Sequence, residues 1–472
     1  MISRQIAILI FLSSFLNLSF GQFVEEKYPK TLWAPNDTFV VKFSYANYRM
    51  PFQVSKKDTI GMGGDGALNL LAIIYYGNDS AIFHYNNVPF GQAYWIPIES
   101  PKGKTVYRLH FNSVMAAFSE KYIETNKGNV QFEIPEVYEL ANIVWALSPT
   151  GQHANGLNKN GAYYQRMFSW FKPFLSHPIF EKLNFPDSLY LKNYLDFREN
   201  SFVFSFKKDQ LVWVGPYFYV MGSNFKDFNS LFKQLAPLIE DFGKKSNFRA
   251  FYKSNVGFYS EQIQRQKELM PIKNMWTWLE NYFSNKYNSY KVVFSPLIGT
   301  SHSTQNFHTF YQNQLYRETV MFISAPSFYD TIKQNSKSVK EGLASGILFT
   351  EIDHNYINPV SDKYRKLIDS IFSKRIVWTD LEKNTGLYSN PVDVFNEYMT
   401  HAVFCLWVLD NYDSNAAKYV FEKREELMIN RRGFIKFKEF TDTLATLYIK
   451  NKNIKIGDLY PDLLQWCKTQ LY

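Results

Sequence analysis

The stretch from Pro391 to Asn411 constrains this chain more than any other. At helical spacing Val394, Phe395, Met399, Ala402, Val403, Phe404, Leu406, Trp407, Val408 and Leu409 leave almost no polar side. A helix that is apolar nearly all round is normally buried. Asn390 suits the N-cap, and Pro391 follows at the first helical position, where a missing N–H costs nothing. Glu397 and His401 lie one turn apart on this helix, so both are carried into the interior. A carboxylate there must be paired, protonated or metal-bound. The simplest use of the pair is a bond between the two side chains; the more consequential one is a metal.

A second helix is expected from Val339 to Ile357, closed by Pro359, because the residue before a proline avoids helical geometry. Leu343, Ile347, Thr350 and His354 stack on one stripe of it, with Glu351 beside them. The run Thr350-Glu351-Ile352-Asp353-His354 overlays H-E-x-x-H, in which two histidines one turn apart bind zinc and the glutamate activates water. Glu351 takes the place of the base and His354 that of the second ligand, while Thr350 stands where the first histidine belongs. In Glu-zincins the third ligand is a glutamate on a downstream helix, which Glu397 fits, and His401 supplies the nitrogen that Thr350 lacks. The expected zinc set is therefore His354, Glu397 and His401, with Asp353 as a substitute. His302, in the loop Gly299-Thr300-Ser301-His302 after a strand, is the candidate to steady an oxyanion.

Around these helices the chain reads as α+β, with a β-rich first part, residues 23–130, and a mainly helical second part, residues 131–472, that includes a small sheet. Thr38–Tyr45, Ala81–Tyr85 and Val106–Phe111 are β-branched and aromatic, and Gly61, Gly63, Gly64 and Gly66 read as a turn among them. That turn lacks the Gly-Lys-Ser/Thr ending of a phosphate loop. From Pro135 onward helical spacing takes over, in Val137, Leu140, Ala141 and Val144, then in Tyr163–Phe171, Asp227–Phe242 and Glu261–Leu269. Tyr290–Ser295 and Thr319–Ser324 are strand candidates.

The first 22 residues read as a secretory signal peptide: Arg4 is the only charge before Glu25, Ile6 to Leu18 is apolar or hydroxylic, and Ser19-Phe20-Gly21-Gln22 offers small residues for cleavage. No later stretch has the roughly 20 apolar residues of a membrane span. The expected setting is secreted or periplasmic. A net charge of +9 is spread over isolated pairs such as Lys207-Lys208, Lys244-Lys245 and Arg431-Arg432, with no stripe suited to a phosphate backbone, so nucleic acid is not an expected partner. Two cysteines, Cys405 and Cys467, exclude a disulfide scaffold and a cysteine-based zinc knuckle. The 43 Phe, 33 Tyr and 10 Trp exceed ordinary use; they serve the core or line a groove for a peptide or a sugar.

The order of elements, two strands, a helix with E-x-x-H and a helix with Glu, looks like the zincin architecture. The chain resembles a family of exported bacterial proteins defined by the domain of unknown function 4932, associated with the Glu-zincin, peptidase MA superfamily. The resemblance rests on Ile134-Pro135-Glu136-Val137-Tyr138-Glu139-Leu140-Ala141-Asn142-Ile143, on Phe171-Lys172-Pro173-Phe174-Leu175-Ser176-His177-Pro178, on Asn247-Phe248-Arg249-Ala250-Phe251-Tyr252, on Tyr290–Pro296 and on the run from Glu351 to Pro359. It covers most of the chain after about residue 130. It implies a peptidase-like fold, with Glu351 as base and His354 and Glu397 as ligands of Zn2+. Two functions follow as expectations: a zinc-dependent hydrolase acting on a peptide or protein, and a peptidase-like protein without catalysis that binds a peptide or glycan through an aromatic cleft. A carboxylate-based glycosidase using Glu351 with Glu397 is a third.

Overall fold

A computed structural model describes residues 118–217, 230–311, 314–330, 336–383, 388, 390–451 and 454–471, residue 116, and, nearer the start, 25–27, 31–33, 38–42, 47–51, 58–63, 70–76, 79–85 and 93–112. The expected signal peptide, Gly64 and Gly66 lie outside these residues. The fold is α+β, with strands first and a helical region after them. Two compact units divide it. The first takes in Met1–Val256, Tyr287–Ser301 and Gln305–Phe322, and the second Gly257–Lys286, His302–Thr304 and Ile323–Tyr472.

The first unit opens with short strands: β1 (Glu25–Lys27), β2 (Leu32–Trp33), β3 (Thr38–Lys42), β4 (Asn47–Pro51), β5 (Asp58–Gly63), β6 (Leu70–Tyr76), β7 (Asp79–Tyr85), β8 (Ala93–Ser100) and β9 (Gly103–Asn112). An antiparallel sheet runs β4-β3-β6-β7, and a mixed one β1-β8-β9-β5 with β2 also on β8. Gly61 and Gly63, expected in a turn, are ladder residues: β5 pairs in parallel with β9, Gly61 opposite His110. Backbone pairing holds them there although glycine brings no side chain to the sheet.

A second mixed sheet, in the order β10-β13-β15-β14, is made of β10 (Val130–Glu133), β13 (Ser289–Ser295), β14 (Ser303–Tyr311) and β15 (Gln314–Ser324). Between them in sequence, β11 (Phe204–Lys207) and β12 (Gln210–Trp213) form a hairpin whose two-residue turn begins at Lys208, with φ +57°. His308 lies within β14. Every residue of β13 is buried. Helix α1 (Glu136–Leu147) is buried from Val137 to Leu147, and α2 (Ala162–Phe171), α3 (Tyr190–Ser201), α4 (Leu231–Lys245) and α5 (Phe248–Ser254) complete the unit.

Three buried carboxylates in this core accept hydrogen bonds. Tyr163 donates to Glu139 Oε1 at 2.6 Å. Glu318 accepts from Tyr122 at 2.8 Å, from Ser289 at 2.6 Å and from Tyr217. Arg198, fully buried, donates to Glu199 at 3.1 Å and to the Ser301 carbonyl at 2.7 Å, and Gln305 donates to the other Glu199 oxygen at 3.0 Å.

The second unit is helical: α6 (Val256–Leu269, starting one residue before the boundary), α7 (Ile272–Tyr282), α8 (Lys337–Lys363), α9 (Arg365–Phe372), α10 (Pro391–Asn411), α11 (Ser414–Glu425), α12 (Phe437–Lys450) and α13 (Tyr460–Thr469). As the sequence requires, α10 is buried from Val392 to Val408. Its apolar girdle packs against α8 through Phe349, whose ring centroid lies 5.4 Å from Trp407 and 5.6 Å from Phe404. Helix α8 does not stop at Pro359 but continues through it to Lys363. A proline removes the bond to the carbonyl four residues back, that of Asn355. Asn285 Nδ2 donates to that carbonyl at 3.0 Å, so the freed acceptor is satisfied and the helix survives. Cys405 and Cys467 are buried free thiols. No described helix is long and apolar enough to cross a membrane.

Candidate functional site

The second unit brings four of the five expected site residues onto two packed helices, α8 and α10. His354 Nε2 lies 3.6 Å from Glu397 Oε1, and His401 Nε2 lies 3.6 Å from Glu397 Oε2. Glu397 is thus the centre of the pair of histidines. Its side chain is 11% exposed, while that of His354 is 30% exposed, so the group opens on the His354 side. Glu351, one turn before His354, accepts a hydrogen bond from Thr304 Oγ1 at 2.9 Å. His302, the fifth, stays in the loop two residues before Thr304, and the Thr304 bond ties that loop to α8.

Two arginines that periodicity did not single out complete the cluster. Arg432 donates to Glu397 Oε2 at 2.6 Å, to Tyr388 Oη, and faces His401 Nε2. Arg424, buried against Gly346 and the Phe404 ring, donates to His401 Nδ1 at 3.0 Å. A six-residue π-helical turn, Glu426–Arg431, separates them. Such turns are frequent at functional sites. The one sequence signal for this pair was Arg431-Arg432, noted as an isolated basic doublet.

Electrostatics follow from these contacts. Burial, reinforced by the Arg432 and Arg424 charges against the pull of Glu397, pushes the His401 imidazole down to about 3, so it is neutral at physiological pH. Burial works to raise Glu397, but His401, Arg432 and His354 outweigh it and hold its carboxyl well below the usual range. Asp353, between Glu351 and His354 in sequence, is fully buried, and neither of its oxygens has a hydrogen-bond partner. Burial, then the charges of Glu397 and Glu351, push it well above the ordinary carboxylate value, with Arg424 opposing.

Zinc does not fit this arrangement. A metal-bound histidine normally donates its second ring N–H to a carboxylate, carbonyl or water, leaving the other nitrogen's lone pair for the metal. In His401 the second nitrogen, Nδ1, instead meets a donor, Arg424. Nε2 meets a second donor, Arg432, so whichever nitrogen carries the single ring proton, an arginine takes the lone pair of the other. Thr350 cannot replace the missing histidine, since its hydroxyl donates to the Ile347 carbonyl at 2.8 Å. The Arg432 guanidinium bridges Glu397 and His401, two of the three expected ligands. Among the described residues no group of three or more His, Cys, Asp or Glu is arranged to hold a metal ion.

What remains is a charged cluster with an acceptor, Glu351, and a partly exposed ring, His354, on its open side. No family model, no curated protein and no solved structure matches the chain.

Proposed function

We propose that this is an exported, metallopeptidase-like protein that binds a peptide without hydrolysing it. The reading is carried by Arg432, whose guanidinium bridges Glu397 and His401 and supplies a fixed positive charge among the residues expected to hold zinc. Glu351 and His354, a turn apart on the open side, offer an acceptor and a ring nitrogen to the N–H and C=O of an extended chain. The hydrolytic reading has its own observation, the 3.6 Å approach of His354 to Glu397 across two helices. In it Glu351 takes a proton from water and passes it to the leaving amine.

Elemental analysis of the purified mature protein separates the two, alongside His354→Ala and Glu397→Ala. Well under stoichiometric zinc, no cleavage of denatured casein with added zinc, and saturable casein-peptide binding that survives a chelator and weakens in His354→Ala are expected. Near-stoichiometric zinc that drops in both variants, with cleavage lost in Glu351→Gln, would establish the hydrolase and sink the binding reading.

A further inference from the structure

Helix α2 keeps a tryptophan at its surface. Tyr163, Tyr164, Met167 and Phe171 form the buried face, while Gln165, Arg166, Ser169 and Trp170 share the exposed one. Trp170 is 40% exposed, although its side chain has a large apolar area to bury. It is fixed all the same: Nε1 donates to the Ser246 carbonyl at 3.0 Å, and the ring rests on Phe251, with centroids 5.5 Å apart. The one polar atom of the side chain is thus engaged within the fold, so what Trp170 presents outward is carbon. A ligand landing on it meets a ring already held in place and does not have to order it.

This plate is one wall of an open groove of about 670 Å³ between α2 and α5, a volume in the ordinary range for ligand sites. Gln165 and Ser169, both exposed, add an amide and a hydroxyl, groups that donate as well as accept. Arg166 is part of the wall, 3.4 Å from Asn255 Oδ1 and 5.7 Å above the Tyr163 ring, and Asn255 is itself held by the Phe251 carbonyl at 2.8 Å. The complement of such a surface has a flat apolar face and an edge of neutral groups that donate and accept. A pyranose with every hydroxyl equatorial has that form, its axial C–H bonds making each face apolar and its hydroxyls ringing the edge. Neither half of that match draws on the Arg166 charge. A single nucleic-acid strand would stack as well, but it needs a cationic track for its phosphates, and Arg166 is the one cation in the lining. A polyproline peptide needs a groove with several exposed rings, and Trp170 is the one exposed aromatic side chain here.

We infer that this groove binds a neutral chain of β-linked, all-equatorial sugars, one ring stacking on Trp170 and its hydroxyls meeting Gln165 and Ser169. The site belongs to the first unit and is independent of the peptide reading.

Isothermal titration of the full chain with cellohexaose, beside glucose and decaproline, tests it. Saturable binding of cellohexaose with Kd below about 1 mM is expected, with glucose at least about tenfold weaker because it occupies only a part of an open groove. Trp170→Ala should weaken cellohexaose by about tenfold or more, with circular dichroism confirming that the variant is folded. Gln165→Ala combined with Ser169→Ala, two exposed side chains whose loss leaves the buried face of α2 intact, should weaken it by about threefold or more. No saturable binding of cellohexaose, an affinity unmoved in either variant, or glucose bound as tightly as the chain overturns the proposal. So does binding of decaproline but not of cellohexaose.

Discussion

The two units treat buried carboxylates differently. In the first, each buried carboxylate accepts at least one hydrogen bond: Glu318 from three hydroxyls, Glu199 from Arg198 and Gln305, and Glu139 from Tyr163 through one oxygen. In the second, Asp353 has no hydrogen-bond partner, Arg424 spends a donor on an imidazole, and Arg432 is shared among Glu397, His401 and a tyrosine. A satisfied buried network rigidifies and specifies a core, whereas a partly satisfied one costs stability. Unsatisfied groups persist where something other than stability retains them, which is why the pocket on α8 and α10 is the functional candidate and the tyrosine–glutamate network is not.

The sharpest break of this contrast is a pair of arginine replacements. Arg198→Met takes the ion-pair partner from buried Glu199 and strips the Ser301 carbonyl, and should cost about 3–5 kcal/mol in urea unfolding. Arg424→Met breaks no ion pair, removing a hydrogen bond to His401 and a charge that favours ionised Asp353, and should cost about 1 kcal/mol. Equal losses would erase the distinction between the units.

Next in size is the response to pH, which should differ in sign. Burial, opposed by Tyr163 and Ser295, pushes Glu139 up to about 7 from 4.5. The folded state then keeps a proton that the unfolded state releases. Its contribution is complete below pH 4.5 and lost as pH rises to about 7, a fall of roughly 3 kcal/mol. His401, pushed down from 6.5 to about 3, contributes fully above pH 6.5 and loses that contribution as pH falls. Unfolding measured at pH 5 and pH 8 should show Glu139→Gln with a flatter decline toward alkaline pH than the parent. A decline of unchanged slope would remove Glu139 from the account.

The smallest effect sharpens the comparison within carboxylates. Asp353→Asn removes a charge that burial disfavours, and because the contribution of Asp353 is lost as pH rises, the gain appears at pH 8, at about 1–2 kcal/mol. Glu318→Gln, the same change of group in the first unit, should instead destabilise, since its carboxylate is the acceptor for three hydroxyls. An Asp353→Asn protein less stable than its parent at pH 8 would mean that Asp353 has a partner after all.

Much of the second unit was legible because its signals are local. Helix α10 has the expected bounds, Pro391 and Asn411, since an Asn-Pro start and an apolar wrap act over consecutive residues. The meeting of His354 with Glu397 was expected from the overlay on H-E-x-x-H and a downstream glutamate, and the two lie 3.6 Å apart. Arg424 and Arg432 were not legible: they reach His401 and Glu397 across 23 and 35 residues of chain, a separation that leaves no periodic trace. Pro359 misled for a related reason, because the group that compensates it, Asn285, lies 70 residues away.

The π-helical turn before Arg432 has a genetic consequence. The Arg432 N–H reaches back to the Leu427 carbonyl at 3.0 Å, five residues rather than four. Such a turn holds one residue more than the α-helical pitch accommodates. Deleting a single codon within Glu426–Arg431 would restore that pitch and, because five α-helical residues turn about as far as six π-helical ones, leave Arg432 facing the same edge. The cation that bridges Glu397 and His401 is therefore insulated from a change of one residue in chain length just before it, and a reading-frame-preserving deletion there keeps the bridge.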